Sequence, residues 1–179
     1  YKILPEGIEI SNKVYDLDVI IFAIGFDALT GALNAIDIVG KDGVKLKEKW
    51  ADGPITYLGL AVNGFPNLFT ITGPGSPSVL SNMMTSIEQH VDWLTDCIEH
   101  MINSGNVEIE AARDAEINWT DHVDETASKT VGYGCNSWYV GANVPGKKVV
   151  YMPYIGGVGT YREKCDEIAL SGYKGFHLS

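Results

Sequence analysis

Two stretches of this 179-residue chain combine residue types and spacings that suit chemistry. The first is Thr72-Gly73-Pro74-Gly75-Ser76-Pro77-Ser78-Val79-Leu80-Ser81-Asn82, which joins a strand-like apolar run to the start of an amphipathic one. Such a junction aims backbone N–H groups and the positive end of a helix dipole at a ligand, which suits an electron-rich carbonyl or a phosphate. Glycine permits close backbone approach and the prolines stiffen the turn, so the segment can hold the edge of a flat cofactor. A tight strand-to-helix connection without a ligand stays open. The second stretch is Ser137-Trp138-Tyr139-Val140-Gly141-Ala142-Asn143-Val144-Pro145-Gly146-Lys147-Lys148. Trp138 and Tyr139 can cover a planar ring, Asn143 can fix an amide, and Lys147 or Lys148 can meet a phosphate. Its plainer reading is an aromatic pair packed on the core beside a solvated lysine turn.

Other chemistries fit less well. Ser76 sits where a hydrolase nucleophile would, but Pro77 and Ser78 break the required G-x-S-x-G pattern. His90 and His100 read as polar or boundary helix residues rather than triad members. Gly156-Gly157-Val158-Gly159 lacks the third glycine of a dinucleotide fingerprint, whose place falls on Arg162, and leaves no room for a crossover unit. It reads as a turn before a helix. The four histidines show no ligand spacing, so no metal site is expected, and no residue is assigned a catalytic role.

The elements that must position these stretches follow from hydrophobic periodicity. Ile8-Glu9-Ile10 and the run from Tyr15 to Ala23 suggest a hairpin-like pair, the second member a strand covered on both faces. Residues 27–66 are glycine-rich and predict short strands and turns. Phe65 to Thr72 predicts a strand stopped by Gly73. A long helix follows, capped by Ser81 or Asn82, ended by Gly105, with Met83, Ile87, Val91, Leu94, Ile98 and Met101 on one face. A second helix is expected over about 111–128, burying Ala112, Ala115, Trp119 and Val123. A third follows Gly159, with Tyr161, Cys165 and Ile168 on one face. The stretch 132–146 is long enough for a functional loop.

Composition bounds the function classes. The chain is 45% hydrophobic and 20% charged with a net charge of -10, a soluble globular profile of one domain or one and a half. That acidity argues against nucleic acid or an anionic membrane as partner. Cys97, Cys135 and Cys165 are odd in number and far apart, which points to a reducing, cytoplasmic setting. No apolar stretch approaches the roughly 20 residues of a membrane span.

Taken in order, several segments resemble the flavin-dependent Baeyer-Villiger monooxygenases, most closely the phenylacetone and steroid monooxygenase branch. The residues that carry the likeness are Phe22-Ala23-Ile24-Gly25-Phe26-Asp27, Trp50 with Gly53-Pro54 and Tyr57-Leu58-Gly59, Gly64-Phe65-Pro66-Asn67-Leu68-Phe69, Gly73-Pro74-Gly75-Ser76-Pro77-Ser78, Ser86-Ile87-Glu88-Gln89-His90-Val91, and Ser137-Trp138-Tyr139 with Gly141 to Lys147. The resemblance implies an α/β fold, the C-terminal portion of a flavoprotein with two dinucleotide-binding domains, built of short strands followed by two to three helices in an incomplete Rossmann-like FAD domain. Residues 1–27 would then end the NADPH domain and its linker. Residues 28–179 would form the C-terminal part of the FAD domain, with a cofactor-closing loop at about 132–148.

The implied activity uses FAD and NADPH to insert one oxygen atom of O2 beside a ketone carbonyl, giving an ester or lactone through a flavin C4a-peroxide. Ser81, Asn82 and Met83 would lie by the flavin pyrimidine edge, and Ser78, Val79 and Leu80 would border the ketone pocket. Trp138, with Asn143 and Lys147, would belong to the loop that closes over the nicotinamide cofactor. Ile24 departs from the family, which usually carries Thr there, so a hydroxyl contact is lost. The FAD and NADPH glycine fingerprints, the family signature and the peroxide-stabilising arginine have no counterpart in these residues. The implied partner is therefore the N-terminal part of both domains, and the chain alone is expected to hold neither cofactor tightly nor to be active. A sister enzyme oxygenating nitrogen or sulfur, or a non-catalytic binding or assembly module, are the alternatives.

Overall fold

The computed structural model describes every residue except Ile24, Phe26, Val79 and Leu80. The fold is α/β, with short strands and a few helices. It begins with an antiparallel sheet of β1 (Lys2–Leu4), β2 (Gly7–Ile10) and β3 (Lys13–Asp16), in which Ile8 pairs with both Ile3 and Tyr15. Ser11 and Asn12 turn the second hairpin with φ of 50° and 65°, the left-handed pair that matches the twist of the flanking strands. The strand expected over Tyr15 to Ala23 stops at Asp16. Val19, Ile21 and Phe22 then stand 73%, 84% and 65% exposed. A buried strand takes its hydrogen bonds from strands along both edges, and among the described residues the bonding of this run to β2 and its flank extends to Leu17, whose N–H donates to Glu6 O at 3.0 Å.

Between residues 27 and 66 the chain is mostly turns, but its regular pieces are helical where short strands were expected: α1 (Gly31–Asn34), a 3-10 turn at Lys41–Gly43 and α2 (Leu46–Lys49). Their function is packing, since Leu46 and Trp50 close a small core with Val62 and Phe65. The strand expected from Phe65 to Thr72 is also replaced by turns, keeping one bridge between Ala61 and Phe69. Asn67 and Thr72 adopt left-handed φ of 55° and 52°, which breaks an extended backbone at two places.

Helix α3 (Met83–Ser104) has the expected ends. Asn82 Oδ1 accepts the N–H of Met84 at 3.0 Å. Gly105 is left-handed and its N–H donates to Ile102 O while Asn106 N–H donates to Met101 O, the paired bonds that close a helix C-terminus. The buried face is rotated from the expected one. Ser86, Gln89, His90, Trp93, Leu94, Cys97 and Met101 are buried, whereas Met83, Val91 and Ile98 are exposed. The reason lies in what α3 meets: Trp93 Nε1 donates to Cys165 O at 2.8 Å and its ring packs edge-on against Tyr173, so large amphipathic side chains, not the aliphatic stripe, set the rotation. His90 is accordingly a core residue rather than a boundary one.

Strand β4 (Ile109–Ala111) pairs with β5 (Phe176–Leu178), and α4 (Arg113–Ser128) starts two residues later than expected. It buries Trp119 and Val123 as expected, together with Glu116 and Ala127; Ala112 is the residue before the helix. Helix α5 (Val158–Leu170) buries Tyr161, Cys165 and Ile168, the face that periodicity predicts. One core joins α3, α4 and α5 to the Tyr57–Ala61 turn.

Candidate functional site

The Gly73–Ser78 turn is built into this core. Thr56 Oγ1 donates to Pro74 O at 2.7 Å, Trp119 Nε1 donates to Gly75 O at 2.9 Å, and Tyr154 N–H donates to Ser76 O at 3.0 Å. A Cβ on Gly59 would stand 2.4 Å from Ser76 N, so the turn lies directly on that backbone. Ser76 Oγ is committed to Gly73 O at 2.7 Å and has no base beside it, consistent with the failed hydrolase pattern. Rigidity here comes from a hydroxyl, an indole N–H and a backbone N–H, each reaching a carbonyl of the turn.

At the end of the turn, Ser78 is 1% exposed and its Oγ is buried without a hydrogen-bond partner among the described residues. Val79 and Leu80, the other two residues of the expected ketone pocket, lie outside the described residues. Ser81 Oγ is 3.3 Å from Ser86 Oγ, and Asn82 and Met83 are exposed. The first turn of α3 therefore opens to solvent behind a fixed base, where its dipole is available to a polar edge.

In the second stretch, a 3-10 turn at Trp138–Val140 stacks Trp138 on Tyr139, with centroids 4.3 Å apart and planes 27° from parallel. Trp138 is 37% exposed. Lys147 forms an ion pair with Asp27 and donates to Thr30 Oγ1 at 2.6 Å, so its ammonium is compensated within the fold. Lys148 reaches Asp52 at 3.1 Å. Asn143 Nδ2 lies 3.3 Å from where a Cβ on Gly25 would stand. The loop is thus drawn against Gly25, Asp27 and Thr30, and a cavity of about 280 Å³ is lined by Asp27, Thr30, Asn34, Trp50 and Lys147. A cavity of about 610 Å³ between α4 and α5 contains none of the site residues that the sequence suggested.

The two stretches are linked through one residue that the sequence did not single out. Buried Met152 donates its N–H to Tyr139 O at 3.1 Å and accepts the N–H of Gly75 at 2.7 Å. The aromatic turn and the glycine-proline turn therefore share a backbone connection. A second missed residue is His90, wholly buried, whose Nδ1 accepts the N–H of Thr72 at 3.0 Å. Burial lowers its pKa to about 4, so the ring is neutral. Neither carries a sequence signal: Met152 acts by backbone, and a histidine on a helix has no periodicity of its own.

Burial pushes the thiols of Cys97 and Cys165 up to about 12, which makes them structural rather than nucleophilic. Burial also raises the carboxyl of Glu116, against opposition from Lys49 Nζ at 2.9 Å. Among the described residues no group of three His, Cys, Asp or Glu side chains is arranged to hold a metal ion, and no helix is long and apolar enough to cross a membrane.

No protein-family model matches the chain. Individual proteins do. The chain is 46% identical over 180 residues to an acetone monooxygenase (methyl acetate-forming) of Gordonia sp. strain TY-5, covering 99% of this chain and 34% of that protein. It is 38% identical over 170 residues to a Baeyer-Villiger monooxygenase of Pseudooceanicola batsensis, covering 94% of this chain and 31% of the relative. A phenazine N-monooxygenase of Lysobacter antibioticus is 38% identical over 164 residues, covering 92% of this chain and 30% of the relative. Among solved structures, oxidized steroid monooxygenase bound to NADP superposes with a TM-score of 0.84 at 48% identity, over 98% of this chain and 33% of that one. A complex of OTEMO with FAD and NADP gives 0.89 at 39% identity, over 99% of this chain and 33% of that one. The chain spans about a third of the length of the curated relatives it matches, and over that third it is similar in sequence and fold to Baeyer-Villiger monooxygenases.

Proposed function

We propose that this chain is the cofactor-edge and loop segment of an FAD- and NADPH-dependent monooxygenase that inserts one oxygen atom of O2 beside a ketone carbonyl to give an ester or lactone. The observation that carries the reading is the Met152 connection. It couples an aromatic loop suited to a nicotinamide to the glycine-proline turn that leads in sequence to a helix start suited to a flavin, in a chain similar to a structure that holds both.

The residues fit these groups. Ser81, Asn82 and Met83 form the open N-terminal turn of α3, whose dipole favours the electron-rich carbonyl edge of a flavin ring. Ser78 holds a buried hydroxyl that has no partner among the described residues, a group ready to accept or donate one hydrogen bond at the border of the ketone pocket, to which the following Val79 and Leu80 are also assigned by sequence. When bound, the flavin supplies electron transfer and dioxygen activation. The chain's own residues orient and shield: the packed Gly73–Ser78 turn holds the pocket wall, Trp138 covers the nicotinamide side, Asn143 fixes an amide there, and Lys147 braces the loop through Asp27.

Residues 1–27 are assigned to the end of the NADPH domain and linker, and residues 28–179 to the FAD domain with its closing loop. The remainder of both domains is then the obligatory partner, the small-molecule ligand a ketone, and the setting cytoplasmic, as three free cysteines suit. A second reading, oxygenation of a ring nitrogen, is favoured by the likeness to the phenazine N-monooxygenase.

The loop assignment is tested by Trp138→Ala in the holoenzyme. Loss of the stacked ring should weaken NADPH use and raise hydrogen peroxide release per NADPH while flavin content holds. Unchanged NADPH affinity together with unchanged peroxide release would remove Trp138 from the cofactor loop.

A further inference from the structure

We infer that His90 is a positioning residue: by accepting the backbone N–H of Thr72, its imidazole fixes the turn that carries Ser78 and the first turn of α3. Only the consequence for flavin and ketone rests on the proposed function; the brace itself rests on geometry. Thr72 is β-branched and left-handed, with φ of 52°, a conformation such residues adopt only when their surroundings impose it. His90 Nδ1 supplies that constraint at 3.0 Å. The bond reaches back across the turn, because His90 lies about two helical turns beyond Asn82 on α3. One end of the segment is thereby tied to the helix that forms its other end.

The tautomer follows from the same bond. Nδ1 accepts a hydrogen bond, so it is unprotonated and the neutral ring carries its proton on Nε2. That Nε2 is buried and has no hydrogen-bond partner among the described residues. The ring packs edge-on to Tyr161, 5.4 Å between centroids, and the Tyr161 hydroxyl is already donated to Leu58 O at 2.7 Å. A phenylalanine would fill the same space without burying an unsatisfied N–H. Among the described residues, the lone pair on Nδ1 is the polar feature of this side chain that is used.

The test compares His90→Phe and His90→Asn in the flavin-loaded holoenzyme, because the Asn Oδ1 can stand where Nδ1 stands. In His90→Phe, hydrogen exchange at the Thr72 amide should quicken at least tenfold while that of Cys97, mid-way along α3, stays within twofold. Peroxide release per NADPH should rise several-fold with the rate of flavin reduction within twofold of wild type. His90→Asn should restore Thr72 protection and coupling to within twofold. A Thr72 amide equally protected in His90→Phe overturns the inference, as does His90→Asn behaving like His90→Phe. Should His90→Phe not fold, nitrogen-15 shifts of the wild-type imidazole decide: a proton on Nδ1 overturns the brace, and one on Nε2 with Thr72 protected in His90→Asn upholds it. A wild type that oxygenates no ketone yet shows the expected Thr72 pattern upholds the brace and refutes the proposed function.

Discussion

Lys147 pairs with Asp27 across 120 residues of chain, and the same ammonium donates to the buried hydroxyl of Thr30. The pair closes the aromatic loop onto the start of the segment that precedes α1. Lys147 is mostly buried but a third of Asp27 reaches solvent, so removing the lysine leaves a carboxylate that water can still reach, at a cost of about 1 kcal/mol. Lys147→Met should therefore loosen the loop more than it unfolds the protein. The expected outcome is a several-fold higher KM for NADPH, with flavin content unchanged and faster amide exchange confined to residues 137–147. Exchange that quickens throughout α3 and α5 would instead make the pair a general stabiliser.

Leu80 bears on substrate range. Leu80 lies outside the described residues, but in sequence it follows the Gly73–Ser78 turn and precedes the helix start assigned to the flavin, and on the proposed assignment a leucine there borders the pocket without moving a proton. Leu80→Ala should shift preference towards bulkier ketones by on the order of 1 to 3 kcal/mol in relative kcat/KM, the range for small apolar changes in a pocket. The check compares a small and a bulky ketone alongside flavin reduction. If both ketones fall by one factor, or flavin reduction collapses, the segment positions the cofactor instead.

His90 makes stability depend on acidity. Its pKa is lowered from 6.5 to about 4 by burial, so between those values the unfolded chain takes up a proton that the folded chain does not. Stability attached to His90 is complete above pH 6.5 and is lost as pH falls towards 4, on the order of 3 kcal/mol in all. Glu116 works the other way, since burial raises its carboxyl and the folded state protonates it first. The isolating comparison is urea unfolding of wild type and His90→Asn from pH 7 to 4.5, and the wild type should lose stability more steeply. Parallel curves would mean that His90 is solvated in the folded state.

Some of this was legible from residues alone. The face of α5 follows from Tyr161, Cys165 and Ile168 because a short helix packed on one side obeys its period. The ends of α3 follow from Asn82 and Gly105, whose local chemistry needs no tertiary partner. The rotation of α3 does not follow, because Trp93 and His90 are held by bonds to Cys165 O and Thr72 N, groups distant in sequence. Likewise the run from Leu17 to Ala23 has strand composition, but pairing partners decide whether it is a strand. The candidate stretches were legible as types of residue. Their connection through Met152, and the closure by Asp27 and Lys147, are long-range contacts that periodicity does not encode.

The most direct test of the central claim is isotopic. The flavin-loaded holoenzyme, given NADPH, a panel of linear and cyclic ketones and 18O2, should yield esters or lactones carrying one 18O atom, with one NADPH consumed per product. Products that carry the label on nitrogen or sulfur, or NADPH oxidation that yields only labelled hydrogen peroxide with every ketone, would contradict it.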